Sequence, residues 1–159
     1  MSIPRIYGFE MAIIAEVYLS TLSALMEPNE LDRHFTAFVH LCENSGKLTQ
    51  NDLAKRLKRD RVSAMRIVDD LCDKGLIIRK KHVSDRRCYI LEVTERAIEL
   101  LPKVKLAIEQ TNEILLDHLS KDEREFFSKS LDQILKKVET LPDPEFLVKV
   151  YKRAKENKD

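Results

Sequence analysis

Residues 48–94, LTQNDLAKRLKRDRVSAMRIVDDLCDKGLIIRKKHVSDRRCYILEVT, constrain the fold more than any other stretch. They encode two short amphipathic helices and then two strands, with almost no chain to spare between them. Thr49 and, three positions on, Asp52 offer a hydroxyl and a carboxylate to the free N–H groups of a helix start. Leu53, Ala54 and Leu57 follow at helical spacing, so a first helix is predicted from about Gln50 to Lys58. Asp60 is a good N-cap for a second helix, which ends before Gly75, where a left-handed C-cap is easy. Two helices with so short a joint must cross steeply.

On the second helix Ala64, Ile67, Val68 and Leu71 fall in one stripe at 100° per residue and face the core. Val62, Met65, Arg66 and Asp69 point the opposite way, with Ser63 and Asp70 at the edge. Basic Arg61 and Arg66 lie in the first two turns, with Ser63 between them, and acidic Asp69, Asp70 and Asp73 lie toward the end. The helix therefore presents its N-terminal end to a polyanion. Val62 and Met65 suit contact with thymine methyl groups in a major groove, and are equally readable as ordinary exposed apolar residues. After Gly75, Leu76–Ile78 with Arg79, Lys80 and Lys81, and later Cys88 to Val93, are strand-like, with a polar turn of Val83, Ser84, Asp85, Arg86 and Arg87 between them. The whole is a winged helix-turn-helix, a shape that enters DNA grooves. An arginine at the wing tip is drawn to the negative potential of a minor groove, and Asp85 can hold the Arg87 guanidinium in one orientation.

These residues resemble the MarR family of bacterial transcriptional regulators. The likeness is carried by Leu53-Ala54, Asp60-Arg61, Arg66 with Val68-Asp69 and Leu71, Gly75-Leu76, Asp85-Arg86-Arg87 and Thr94. It implies that the second helix reads the major groove and that Asp85 and Arg87 form the wing-tip pair that places an arginine in the minor groove. Family members usually carry small hydroxyl residues where this chain has Val62 and Met65, and a glycine soon after the wing where it has Arg96-Ala97, so no operator sequence transfers with the resemblance. The resemblance also implies a homodimer joined through N- and C-terminal helices, more often a repressor than an activator, and a small anionic or aromatic effector between those helices and the reading domain. Tyr18, His34 and Phe35 are candidate lining residues for that effector; ordinary core packing is the competing reading of each.

With 43% apolar and 6% aromatic residues, only three glycines and no tryptophan, 159 residues suit one mostly helical chain able to bury a core. The formal charge of +1 hides an asymmetry. Residues 47–96 carry 14 Lys/Arg against 8 Asp/Glu, and the remainder carries 14 against 19. The middle is built for an anionic partner and the ends are not. The N-terminal apolar run contains acidic residues and no small-residue cleavage site, and no segment approaches a membrane span, so the expected location is the cytoplasm. Cys42, Cys72 and Cys88 are odd in number and widely spaced, which suits reduced, buried thiols; redox activity of any of them is the alternative.

Outside the motif, a helix is expected over Phe9–Met26 with Ile14, Val17, Tyr18, Thr21, Leu22 and Leu25 recurring, stopped at Pro28-Asn29. A second, from about Leu31 to Glu43, buries Phe35, Phe38, Val39 and Leu41-Cys42. Thr94 caps a long helix with Ile98, Leu101, Ile108, Leu115 and Leu119, in which Pro102 predicts a kink near Ile98 to Leu101. Ser120 with Glu123 forms a capping box for another, in which Phe127, Leu131, Ile134, Val138 and Leu141 make an interhelical seam. Pro142-Asp143-Pro144 breaks the chain before a short helix holding Phe146, Leu147, Val150, Tyr151 and Ala154. The expected organisation is a winged helix-turn-helix region over residues 31–96, flanked by helical dimerisation segments at 1–28 and 97–159, all within one chain unit.

No glycine-rich phosphate loop, HExxH or paired-cysteine zinc spacing occurs, so neither an enzyme nor a cofactor is expected. His34, His40 and Cys42 do not share a helical face, and a structural role is the simpler reading over a metal site. The expectation is a homodimeric, sequence-specific double-stranded DNA-binding regulator that recognises a palindrome. Two readings compete with it: a winged-helix module that binds another protein, and a redox or effector sensor with weak DNA binding.

Overall fold

The computed structural model describes residues 3–26, 30–31, 34–81 and 88–141. Its elements are α1 (Tyr7–Ala24), α2 (Phe35–Glu43), β1 (Leu48–Thr49), α3 (Gln50–Arg56), α4 (Arg61–Asp73), β2 (Ile77–Lys81), β3 (Tyr89–Val93), α5 (Glu95–Leu116) and α6 (Lys121–Thr140). The chain is therefore mostly α with a small antiparallel sheet, and it divides into two compact units, residues 1–115 and 116–159.

In the first unit the helix-turn-helix forms where its caps demand. Asp52 N–H donates to Thr49 Oγ1 (3.2 Å) and Thr49 N–H donates to the Asp52 carboxylate (3.0 Å), a reciprocal capping box that starts α3. Asp60 accepts from Ser63 N–H (2.9 Å) and starts α4. Both helices then end in the same way. Leu76 N–H reaches back to the Leu71 carbonyl and Gly75 N–H to that of Cys72, with Gly75 at φ +67°. Arg59 N–H reaches the Ala54 carbonyl and Lys58 N–H that of Lys55, with Lys58 at φ +50°. These are paired Schellman closures. The closure of α3 has a lysine where glycine is usual, and the left-handed turn at Lys58 is why α3 stops at Arg56 rather than at Lys58.

The stripe of α4 behaves as its spacing predicts: Ala64, Val68 and Leu71 are fully buried and Ile67 is half-buried. Around it, Phe35, Phe38 and Leu41 of α2, Leu53 of α3, Leu76, Ile77, Leu91, and Leu100, Val104 and Ala107 of α5 complete one core. Val39 and Cys42 lie at its margin rather than inside it. Leu31 is buried but precedes α2, which begins at Phe35.

The sheet has a third strand that the periodicity does not announce. Leu48 and Thr49 pair with Leu91 and Ile90, so the order is β1-β3-β2. Gly46, at φ +71°, turns the chain so that its N–H meets the Leu91 carbonyl (3.0 Å), and Ser45 Oγ accepts from Val93 N–H (3.1 Å). The β2–β3 ladder runs from Ile77↔Val93 to Lys81↔Tyr89. Thr94 joins the hairpin to both helices that flank it. Its hydroxyl donates to the Gly75 carbonyl (2.7 Å) and accepts from Ala97 N–H (3.3 Å), which makes it the cap of α5 as expected.

Three expectations need correction. The inward face of α5 is Ala97, Leu100, Val104, Ala107 and Thr111; Ile98 is exposed, while Leu101 and Ile108 only flank the core. Small residues allow close approach, so the bulky ones are displaced to the sides. Leu119 lies beyond the end of α5, in the turn before Ser120. On α1 only Leu22 of the expected series is fully buried, and Ile14, Val17 and Leu25 are exposed. The helix continues through Pro102. In the second unit, the Ser120–Glu123 capping box starts α6, whose seam residues Phe127, Leu131, Ile134, Val138 and Leu141 are all exposed. The expected stop at Pro28-Asn29 and the short helix after Pro144 lie outside the described residues.

The Thr49 hydroxyl and backbone hold the Asp52 carboxyl below the ordinary carboxylate range. A lowered folded value means that the contribution is present above pH ~4, the unfolded value, and is lost as pH falls through the folded value. Thr49→Ala is expected to lower unfolding free energy by about 1 kcal/mol at pH 7. The difference from the parent should shrink in denaturant titrations below about pH 4.

Candidate nucleic-acid interface

The outward half of α4 begins with an ordered N-terminus. Asp60 accepts from both the backbone N–H and the hydroxyl of Ser63 (2.9 and 2.6 Å), which holds its carboxyl below the usual range and therefore charged. Ser63 is thus part of the cap, and its oxygen retains lone pairs toward solvent. Arg61, Val62, Met65 and Arg66 are exposed on the first two turns, Val62 at 55%. Neither arginine has an ion-pair partner among the described residues.

Two of the three acidic residues in the C-terminal half of α4 are paired within the fold, and the third, Asp73, is exposed. Asp69 accepts from Arg79 of β2, whose guanidinium also lies 3.7 Å from Cys72 Sγ, so an ion pair spans from the reading helix to the base of the wing. Asp70 pairs with Lys74 (2.8 Å) and faces His34 Nε2 at 3.6 Å. Lys80 pairs across the hairpin with Glu92 (2.6 Å), while Lys81 is exposed. Asp85, Arg86 and Arg87 lie outside the described residues.

The candidate effector residues separate into two neighbouring clefts. Tyr18 and Phe35 line one of about 300 Å³ with His40 and Ile108, where Tyr18 Oη donates to Asn112 Oδ1 (3.0 Å). His34 lines the other, about 500 Å³, with Arg56, Arg59, Ser63 and Arg66. Leu19 and Thr36 border both. The second cleft therefore shares two side chains with the outward face of α4. His40 Nδ1 is buried without a hydrogen-bond partner among the described residues.

Sequence reasoning missed Arg79, whose partner ten residues earlier comes close only through the α4–β2 turn. It also missed the cations of the helix joint, Lys55, Lys58 and Arg59. The signal for the latter was present in the run Lys55–Arg61, five of whose seven residues are basic.

This is the architecture of a winged helix-turn-helix protein: a steep helix pair, a hairpin beside it and a reading helix with a cationic leading end. Residues 36–89 match the model of the MarR family. The fold agrees with that of a MarR transcriptional regulator from Methanosarcina mazei Go1 at a TM-score of 0.77 and 23% identity, covering 82% of this chain and 94% of that one. A MarR-family regulator from Listeria monocytogenes, solved with a 26mer DNA, superposes at 0.70 with 24% identity, covering 86% and 91%. The PcaV transcriptional regulator from Streptomyces coelicolor, solved with its natural ligand, superposes at 0.72 with 17% identity, covering 86% and 98%. The chain carries a MarR-family domain and has the fold of MarR-family transcriptional regulators.

Burial pushes the Cys42 thiol up to about 11 and raises that of Cys72, where Arg79 only partly offsets it. Thiolate is the reactive form, so neither suits an oxidant sensor. In alkylation kinetics near pH 7.5, Cys42 is expected to react about a hundredfold more slowly than a thiol at its ordinary value of 9.0.

Proposed function

We propose that this chain is a sequence-specific, double-stranded DNA-binding transcriptional regulator that acts as a homodimer on a palindromic operator. The observation that carries the reading is the polarity of α4. Its leading turns expose Arg61 and Arg66, unpaired among the described residues, beside Val62 and Met65, while Asp69 and Asp70 are held by Arg79 and Lys74. Such a helix offers cations and apolar groups to a base-lined groove from its leading turns, while exposed Asp73 stands at its far end. Residues 31–96 are the DNA-binding region in this reading. Arg61, Val62, Ser63, Met65 and Arg66 serve the major groove, and the wing, with Lys80, Lys81, Asp85, Arg86 and Arg87, serves the minor groove and adjacent phosphates. The Listeria relative solved with a 26mer DNA supports a DNA partner for this fold.

The dimer reading rests on apolar surface that the monomer leaves bare. Ile6, Phe9, Ile13, Ile14 and Val17 are exposed on or beside α1, and Phe126, Phe127, Leu131, Ile134, Leu135 and Val138 on α6. A helix that is apolar on most sides is normally covered, and a second copy supplies the cover for segments 1–28 and 97–159. A two-fold pair would then set two reading helices about 34 Å apart, one turn of DNA. Bound to an operator, such a dimer acts as a repressor by occlusion. Among the described residues no helix is long and apolar enough to cross a membrane, which fits a cytoplasmic regulator rather than a membrane protein.

A specific observation also favours effector control. The cleft of His34, Arg56, Arg59 and Arg66 uses side chains of the reading helix, so an anionic or aromatic occupant would draw on the same groups as DNA. PcaV, solved with its natural ligand, supports a small-molecule partner for this fold. Tyr18 and Phe35 belong to the adjoining cleft.

Purified protein mixed with sheared genomic DNA at near-physiological salt is expected to retain a common palindrome. Arg66→Ala with Arg87→Ala should abolish the enrichment, each lost base contact costing about 1–3 kcal/mol. Retention by the double variant would reject the site, and absence of enrichment by the parent would favour a protein-binding module. Leu131→Asp is expected to shift the sedimentation coefficient from dimer to monomer.

A further inference from the structure

The α3–α4 joint is not a neutral connection. Asn51, Lys55, Lys58, Arg59 and Arg61 surround a cleft of about 360 Å³ floored by buried Ala54, with Asp60 on its rim. None of these four cations has an ion-pair partner within 4 Å among the described residues. Several other cations are matched: Arg5 with Glu10, Lys74 with Asp70, Arg79 with Asp69, Lys80 with Glu92 and Lys129 with Glu125. The Asp60 carboxylate is turned to its own helix, where Ser63 N–H and Oγ both donate to it. The cleft therefore has four positive side chains, one amide and one engaged carboxylate.

Lys58 adds an independent observation. It closes α3 from the left-handed region, φ +50°, at the C′ position where glycine is free of steric cost. A lysine there is unfavourable for the backbone, and its side chain projects from the joint with Lys55 and Arg59 as neighbours in the cleft.

We propose that this joint is a backbone-phosphate site, separate from the base-reading face of α4, in which Lys55 and Lys58, assisted by Asn51 and Arg59, hold one DNA phosphodiester per subunit. The inference rests on the DNA-binding reading above. Its ligand is the phosphate monoanion of the duplex backbone, so the site sets affinity and register and carries no sequence preference. A compact ammonium pair suits this task, since lysine meets phosphate as a point charge and needs no fixed fork geometry.

The test is the salt dependence of binding by the full chain carrying Lys55→Gln and Lys58→Gly, measured on a duplex it selects and on a random duplex of equal length. Glycine removes the left-handed penalty, so thermal unfolding should show a midpoint for Lys58→Gly no lower than that of the parent. Binding should nevertheless weaken by a similar factor on both duplexes. The slope of log affinity against log salt should become shallower by about 1.8, two phosphates per dimer at about 0.9 each. The loss of affinity between 50 and 200 mM salt would then be about twelvefold smaller than for the parent. Lys55→Arg with Lys58→Arg should keep the parent slope.

A parent that binds DNA while the Gln/Gly variant keeps the same slope would overturn the phosphate site alone. A loss confined to the selected duplex would also overturn it, by making these lysines base readers. A parent that binds neither duplex would overturn the DNA-binding reading and this inference with it.

Discussion

The seat of α4 on the core is the constraint on which the rest depends. Ala64, Val68 and Leu71 are fully buried against α2, α3 and the sheet, and the closures at Asp60 and Gly75 fix where the helix begins and ends. Each large apolar side chain buried there contributes about 1.5–3 kcal/mol, more than any of the surface ion pairs around it. Ala64 matters for the opposite reason: its small side chain lets α3 and α4 cross closely enough for a joint of four residues. Because the inner stripe admits only one rotation of the helix, Val62, Met65 and Arg66 have no choice but to face outward.

Local features of this fold were legible because their causes are local. The capping residues Thr49, Asp60, Thr94 and Ser120 all start helices, since a cap needs only a side-chain oxygen and the next three residues. The hairpin strands followed from β-branched and apolar runs after Gly75. What escaped had long-range causes. Leu48–Thr49 reads as a helix start, and it is one, but the same two residues also pair with β3, forty residues on. The inner face of α5 escaped because large side chains mark buried positions only where space allows them; at Ala97, Ala107 and Thr111 it does not. The candidate site divides in the same way. The polarity of α4 was visible in its sequence, whereas the Arg79–Asp69 tie, the split of Tyr18 and His34 between two clefts, and the cationic joint needed three-dimensional neighbours.

Charge placement explains how a nearly neutral chain can address a polyanion. Three carboxylates on or beside α4 are engaged within the fold, Asp69 by Arg79, Asp70 by Lys74 and Asp60 by its own helix start, and Asp73 lies exposed in the last turn, away from the leading end. Each arrangement serves structure as well. Asp60 caps α4, Asp69 couples the helix to the wing base, and Asp70 stands between Lys74 and His34. A group of cations without an ion-pair partner among the described residues stands at the α3–α4 joint and the first turns of α4. These cations therefore stand at one end of a helix of 13 residues and carboxylates at the other, a polarity that would orient the domain on a charged rod before any base is touched.

That orientation bears on Val62 and Met65. An apolar side chain gains little from phosphate and contributes to recognition only once the helix end is inside a groove, so it depends on electrostatic docking by its neighbours. Val62 stands between Arg61 and the capped Ser63, and Met65 immediately precedes Arg66. Each apolar group is thus carried to the groove by an adjacent cation. Valine is stiff about χ1 and presents a fixed methyl pair, whereas methionine is flexible and adapts to the surface it meets. Discrimination should accordingly be sharper at the base step facing Val62 than at the step facing Met65. Hydroxyl-bearing residues at these positions would form hydrogen bonds to base edges; under the proposed function, Val62 and Met65 would shift the reading from polar edges toward thymine methyl groups.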